Sequence, residues 1–354
     1  MKWRRMADSA ALGLLAALAG CVGPSDQVWS TKRQSVVGET APRLNVGSIP
    51  PEAAPSELPA AALDVLEQAV GAKDPLLRAN AIEALHHAPN HLKPVVAAAL
   101  VDENRGVRFV AAMTIGRLRL RSIAHLLEPL LRDRSESVQA AAIYGMARCG
   151  LPVDLNPLAE LIESEDPEVR ANAAVVLGGL GNPSAVSMLR RAIGRGMKRV
   201  PVPRAKIVEL QLAEAMVRLG AERELQVIRA ALFAPPEQGE ITALACQMCG
   251  RLNDRRAMAD LIRIARRTDE RRHPAEVRMA ATLAIAQIEP MAAPVEVPMA
   301  YVASDRPELR AQAALTLGGF RDPARLPMLA ILLSDEDPMV QVAAAGAILQ
   351  IKGP

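Results

Sequence analysis

The sequence predicts an all-α protein, an α-solenoid of about nine helical hairpins, and three observations carry that reading. First, an aliphatic-Arg-x-x-Ala pattern keeps returning. Aligned on its Arg column, the chain gives Arg78, Arg108, Gln139, Arg170, Glu209, Thr242, Arg278, Arg310 and Gln341, at spacings of 30, 31, 31, 39, 33, 36, 32 and 31 residues. Self-similarity at such a period marks units that bury their apolar faces only against their neighbours. Second, the position before the column is aliphatic in every unit, from Leu77 to Val340, and the position three after it is alanine in all but Leu212. Third, the apolar residues are mostly Ala, Leu and Val at helical spacing, without alternating β-branched runs.

The elements follow in chain order. Lys2, Arg4 and Arg5 precede an apolar run, Ala10 to Gly20, which is shorter than the ~20 residues of a spanning helix. Residues 1–20 therefore read as an export signal. Its end, Leu18-Ala19-Gly20-Cys21, resembles the bacterial lipobox, and that resemblance implies a lipidated Cys21 as the first mature residue. Val22 follows where a retention-type Asp would stand, which favours the outer membrane, facing the periplasm. Residues 21–58 carry Pro24, Pro42, Pro50, Pro51 and Pro55 among small polar residues and read as an extended tether.

Residues 59–354 form the repeat region, and its fourth unit is the plainest copy. Leu158, Leu161 and Ile162 give a first helix. Asp166 caps the second helix, Pro167 occupies its first turn, and Gly178-Gly179 is expected to end it. Asp74-Pro75 and Asp337-Pro338 repeat the start signal. The segment Asp166 to Pro183 resembles the HEAT repeat, of the short type found in phycobilisome lyases. That resemblance implies second helices lining a concave face, and roles that range over scaffolds, adaptors, bilin lyases and alkylpurine glycosylases.

Composition narrows these roles. The chain is 50% hydrophobic, 23% charged and 2% aromatic, so base-stacking platforms are scarce. Loss of residues 1–20 removes three positive charges and one negative, taking the formal charge from +3 to +1. Neither charge nor export favours nucleic acid. Cys246 and Cys249 superimpose on core positions Ala174 and Leu177, and read as buried small hydrophobes. His86, His87 and His91 lack a fourth ligand and read as an exposed interhelical turn. No cofactor, metal or catalytic constellation is expected.

Two surfaces remain as binding candidates. Units five and seven lengthen between their two helices, placing Arg195, Lys198, Arg199, Arg204, Arg267, Arg271 and Arg272 on one edge, where an acidic protein surface would dock. The polar side of the second helices, two and five positions after the column, offers Asn80, Tyr144, Asn172 and Gln211 on the concave face. The column arginines are expected to hold adjacent units together through Asp166-type residues. The reading is a non-enzymatic, lipid-anchored envelope scaffold for a protein partner, with a bilin-lyase-like or other ligand-processing role as the alternative.

Overall fold

The computed structural model describes residues 57–353, apart from 196, 198, 268 and 270–272. Cys21, the signal segment, nearly all of the tether, and Lys198, Arg271 and Arg272 lie outside the described residues. Every described element is helical. Each of the nine units pairs an outer helix with an inner one, which is the longer of the two in every unit but the first. The inner helices are α1 (Pro75–Ala84), α2 (Arg105–Leu118), α3 (Glu136–Cys149), α4 (Pro167–Leu180), α5 (Val202–Arg218), α6 (Gly239–Arg251), α7 (Ala275–Ile288), α8 (Pro307–Gly319) and α9 (Pro338–Lys352).

Local chemistry sets their starts. Asp74, Asn104, Asp166 and Asp337 each accept the backbone N–H two residues on at 2.8 Å, which satisfies one of the orphan donors of a first turn. The stop signal expected at Gly178-Gly179 falls elsewhere. The helix α4 continues to Leu180 and ends at Gly181, whose φ of +76° suits glycine. Gly178 and Gly179 instead permit close approach. A Cβ on Gly178 would stand 2.9 Å from the Ala215 Cα of α5, and one on Gly179 would stand 2.8 Å from the Tyr144 ring of α3.

The column arginines do join units, but through a different residue from the one expected. Arg78 grips Asp102, Arg108 grips Asp133 and Arg310 grips Asp335, each with two nitrogens on two carboxylate oxygens at 2.7–2.8 Å. Each acceptor belongs to the following unit and lies in the break between its two helices; Asp102 and Asp335 come two residues before the capping Asn104 and Asp337. Capping side chains are already committed to their own helix N-termini, which leaves the earlier carboxylate for the guanidinium. Arg170 departs from this pattern. It is 1% exposed and donates only to carbonyls, those of Glu163 (3.0 Å), Ser164 (2.9 Å), Ala192 (3.3 Å) and Arg195.

The ends of the solenoid meet. Helix α9 packs on the first unit, against both Leu58–Ala69 and α1. One contact of the internal junctions recurs at this seam. Within the chain, the residue two places after the column touches the residue two places before the column of the preceding unit: Asn172 donates to Ser137 at 3.0 Å, and Gln312 to the Glu276 carbonyl at 2.8 Å. The same pair of positions closes the ring, Asn80 lying 3.3 Å from the Met339 sulfur. A Cβ on Gly346 of α9 would come within 3.0 Å of the Ala84 Cβ of α1. The nine units thus form a closed ring, and from Val340 to Leu349 α9 is buried on every side.

Candidate binding surfaces around the ring

Helical geometry assigns the faces of each inner helix. At about 100° per residue, the column position and those three, four and seven after it share one side, facing the outer helices. Positions six and eight after the column meet the neighbouring inner helices, as the Gly178–Ala215, Gly250–Ala284 and Gly318–Ala347 approaches show. Positions −2, +2, +5 and +9 therefore face the ring axis. At −2 stand Glu168, Glu240, Glu276 and Glu308; at +9 stand Arg117, Arg148, Arg218 and Arg251. Acidic groups lie at helix N-termini and basic groups at C-termini, as the helix dipole favours.

The concave-face residues read from the sequence do share this face, but packing against the adjacent inner helices withdraws most of them from any partner. Tyr144 is 4% exposed and wedged between Gly116 and Gly179; Asn172 is fully buried on Ser137; Gln211 is 2% exposed; Asn80 sits at the closing seam, half-buried. The expectation of an open concave wall is corrected accordingly. What lines the axis is a set of buried polar groups. Both amide atoms of Gln211, and Oε1 of Gln247 and of Gln287, have no hydrogen-bond partner among the described residues.

Two axial carboxylates take opposite states. Burial works against ionisation of Glu214, but the guanidinium groups of Arg251 and Arg218, bonded to it at 2.8–3.3 Å, hold its carboxyl down at about 2. Glu83 has only Arg117, at 3.7 Å, and burial pushes its carboxyl up to about 7. The histidine segment is likewise no exposed turn. Burial, with Arg117 adding, drives His86 down to about 3, while His91 is exposed and 3.0 Å from the Glu67 carboxylate. No group of residues that would hold a metal ion occurs among the described residues.

A pH signature follows. Folding raises the Glu83 pKa, so its contribution to stability is present below the ordinary carboxylate value and is lost as pH rises towards about 7. Glu83→Gln is expected to stabilise the protein at pH 8 by on the order of 2–3 kcal/mol and to bring no gain near pH 4.5. Urea unfolding of both proteins across that range checks it. His86 acts with the opposite sign, its burial destabilising the fold as pH falls below its ordinary value, so only the difference between wild type and variant isolates Glu83.

On the lengthened edge, Arg195 and Arg199 are exposed. No carboxylate among the described residues pairs with either. Arg267 is half-buried, and Arg204 lies half-buried on α5 near the Glu168 carboxylate, which Arg105 also holds at 2.9 Å. Cys246 and Cys249 are fully buried; the first is raised well above the ordinary thiol range, and desolvation pushes the second up to about 12. Both are core residues, as their register implied.

A ring of helical hairpins, with side-chain caps on four of its inner helices and arginine–aspartate pairs at three of its junctions, defines an α-helical repeat protein. The chain belongs to the HEAT-repeat family, matched over residues 63–147, 123–201, 155–239 and 295–354. No curated protein matches it in sequence. Among solved structures it is similar to the complex of CpcE and CpcF of phycocyanin lyase from Nostoc sp. PCC7120, at 18% identity over 70% of this chain and 91% of that one, with a TM-score of 0.35. It is also similar to human deoxyhypusine hydroxylase in complex with glycerol, at 18% identity over 77% and 99%, TM-score 0.36. Kap121p aligns at 11% identity over 77% of this chain and 38% of that one, TM-score 0.29. Likeness at this level reflects the shared repeat and says nothing of activity.

Proposed function

We propose that this protein is a non-enzymatic scaffold, held at the bacterial envelope through a lipid on Cys21, that binds an acidic protein partner at the rim carrying the lengthened units. One observation supports the rim above the rest of the surface. The segment bearing Arg195 and Arg199 is tied to the core by Arg170, whose buried guanidinium holds the Ala192 and Arg195 carbonyls. Arg195, so anchored, is presented at small entropic cost on binding. The anchor rests on Leu18-Ala19-Gly20-Cys21, in a segment where any membrane attachment must come from lipid rather than a spanning helix.

Crosslinking in cells, followed by capture, would identify the partner. Ser substitution of Arg195 and Arg199 together is expected to leave stability nearly unchanged, since exposed charges contribute little, while weakening a salt-sensitive interaction by about tenfold. Binding at wild-type strength would remove the rim from the reading. Cys21→Ser is expected to move the protein out of the detergent phase, and unaltered partitioning would refute the anchor.

A second reading, in which the ring axis processes a small ligand, is favoured by Glu83, a buried carboxyl poised at about 7 on the same polar face as the unpartnered amides. Native mass spectrometry decides between them. A stoichiometric small molecule retained by the folded protein would favour the second.

A further inference from the structure

At the opposite rim, where the inner helices end, an open cleft of about 660 Å³ lies between the C-terminal ends of α3 and α4 and the outer helices Pro157–Leu161 and Val186–Ala192. Its floor is apolar, with Leu158, Leu177, Leu180 and Met188, and Leu155 stands at its lip with 44% of its surface exposed. Arg119, Arg121, Arg148 and Arg191 also line it, and none of its lining residues is acidic. The charge falls in two places. Arg119, Arg121 and Arg148 converge around Cys149, where together they oppose the rise that burial imposes on its thiol; Arg191 sits apart on its own helix. Arg119 and Arg191 also form no ion pair among the described residues.

Two separated positive sites with an apolar floor between them match a chain that carries carboxylates on either side of an apolar side chain. A compact anion would use one site and leave the floor empty. We propose that this cleft binds an acidic peptide segment of a partner protein, seating an apolar side chain on the floor beside Leu155 and directing carboxylates to the arginines at either end. This site opens at the C-terminal ends of the inner helices and reaches towards the lengthened rim only through Arg191; it uses none of Arg195, Arg199 and Arg267.

Arg119 makes a discriminating variant possible. It follows α2 at φ 51°, in the left-handed region, where glycine is the favoured residue. Arg119→Gly therefore removes the charge without harming the fold. The probe is a fluorescein-labelled decapeptide of alternating Glu and Leu, with an all-Glu decapeptide as control, titrated by anisotropy against the full chain. The mixed peptide is expected to bind at least about tenfold more tightly than the all-Glu peptide, and to lose about tenfold with Arg121→Glu plus Arg191→Glu. Arg119→Gly and Leu155→Glu should each weaken it, and Ser substitution of Arg195, Arg199 and Arg267 should not. Absence of binding to the wild type, equal binding of both peptides, or indifference to the cleft substitutions would each overturn the proposal.

Discussion

Replacing Gly346 by leucine is expected to destabilise the protein, and the sign of the effect is the test. On a helix with a free outer face, glycine to leucine gains about 0.8 kcal/mol of helix propensity. In the closed ring the new side chain enters a junction where even a Cβ stands 3.0 Å from Ala84, and overpacking of that kind costs about 1–3 kcal/mol or more. The net expectation is a loss of about 1–2 kcal/mol, smaller than that of Gly178→Leu, where the added Cβ would stand 2.9 Å from the backbone Cα of Ala215. Chemical denaturation of both variants suffices. A gain at Gly346 with a loss at Gly178 would mean that α9 has a free face and the ends do not meet.

Arg170→Met should cost about 3 kcal/mol. The methionine fills much of the same volume, and loss of a desolvated charge offsets part of the damage, but four carbonyls lose their donor, at about 1 kcal/mol each. The effect should be local as well as global. Hydrogen exchange should accelerate across residues 192–195, because the variant releases the ties that hold this segment to the fourth unit. Unchanged protection there would show that the loop is held by something other than Arg170, and would weaken the case for a preorganised rim. Arg191→Ser, on the exposed side of the neighbouring helix, serves as the control with little effect on stability.

Much of this was legible in the sequence, and the remainder was hidden for specific reasons. Period, unit number and caps rest on local chemistry, and Asp74, Asp166 and Asp337 cap as read. The core placement of Cys246 and the common face of Asn80, Tyr144, Asn172 and Gln211 follow from register alone. Ring closure is a sum over nine junctions, each set by side-chain volumes such as those of Gly178 against Ala215, and no single unit displays it. One signal was nevertheless present. A terminal repeat ordinarily turns a polar face outward, yet the run Val340 to Leu349 holds only Gln341 among apolar and small residues. Gly178-Gly179 reads as a stop for the same reason, since glycines that admit a neighbour and glycines that end a helix look alike until the neighbour is placed. His86 reads as exposed because the helix that covers its segment, α9, is more than 250 positions away in the chain.

Closure also fixes how this gene can change. An open array of hairpins lengthens or shortens by duplication and loss, each step altering its span but not its soundness. A ring must complete one full turn, so the gain or loss of a unit reopens the seam. Variation is then confined to what leaves the angle between inner helices untouched, which is the outer side of each hairpin and the break within it. The extra residues of the fifth and seventh units lie in that break. They are where this architecture permits a lineage to experiment, and a comparison of relatives should find insertions gathered there while the count of hairpins stays constant.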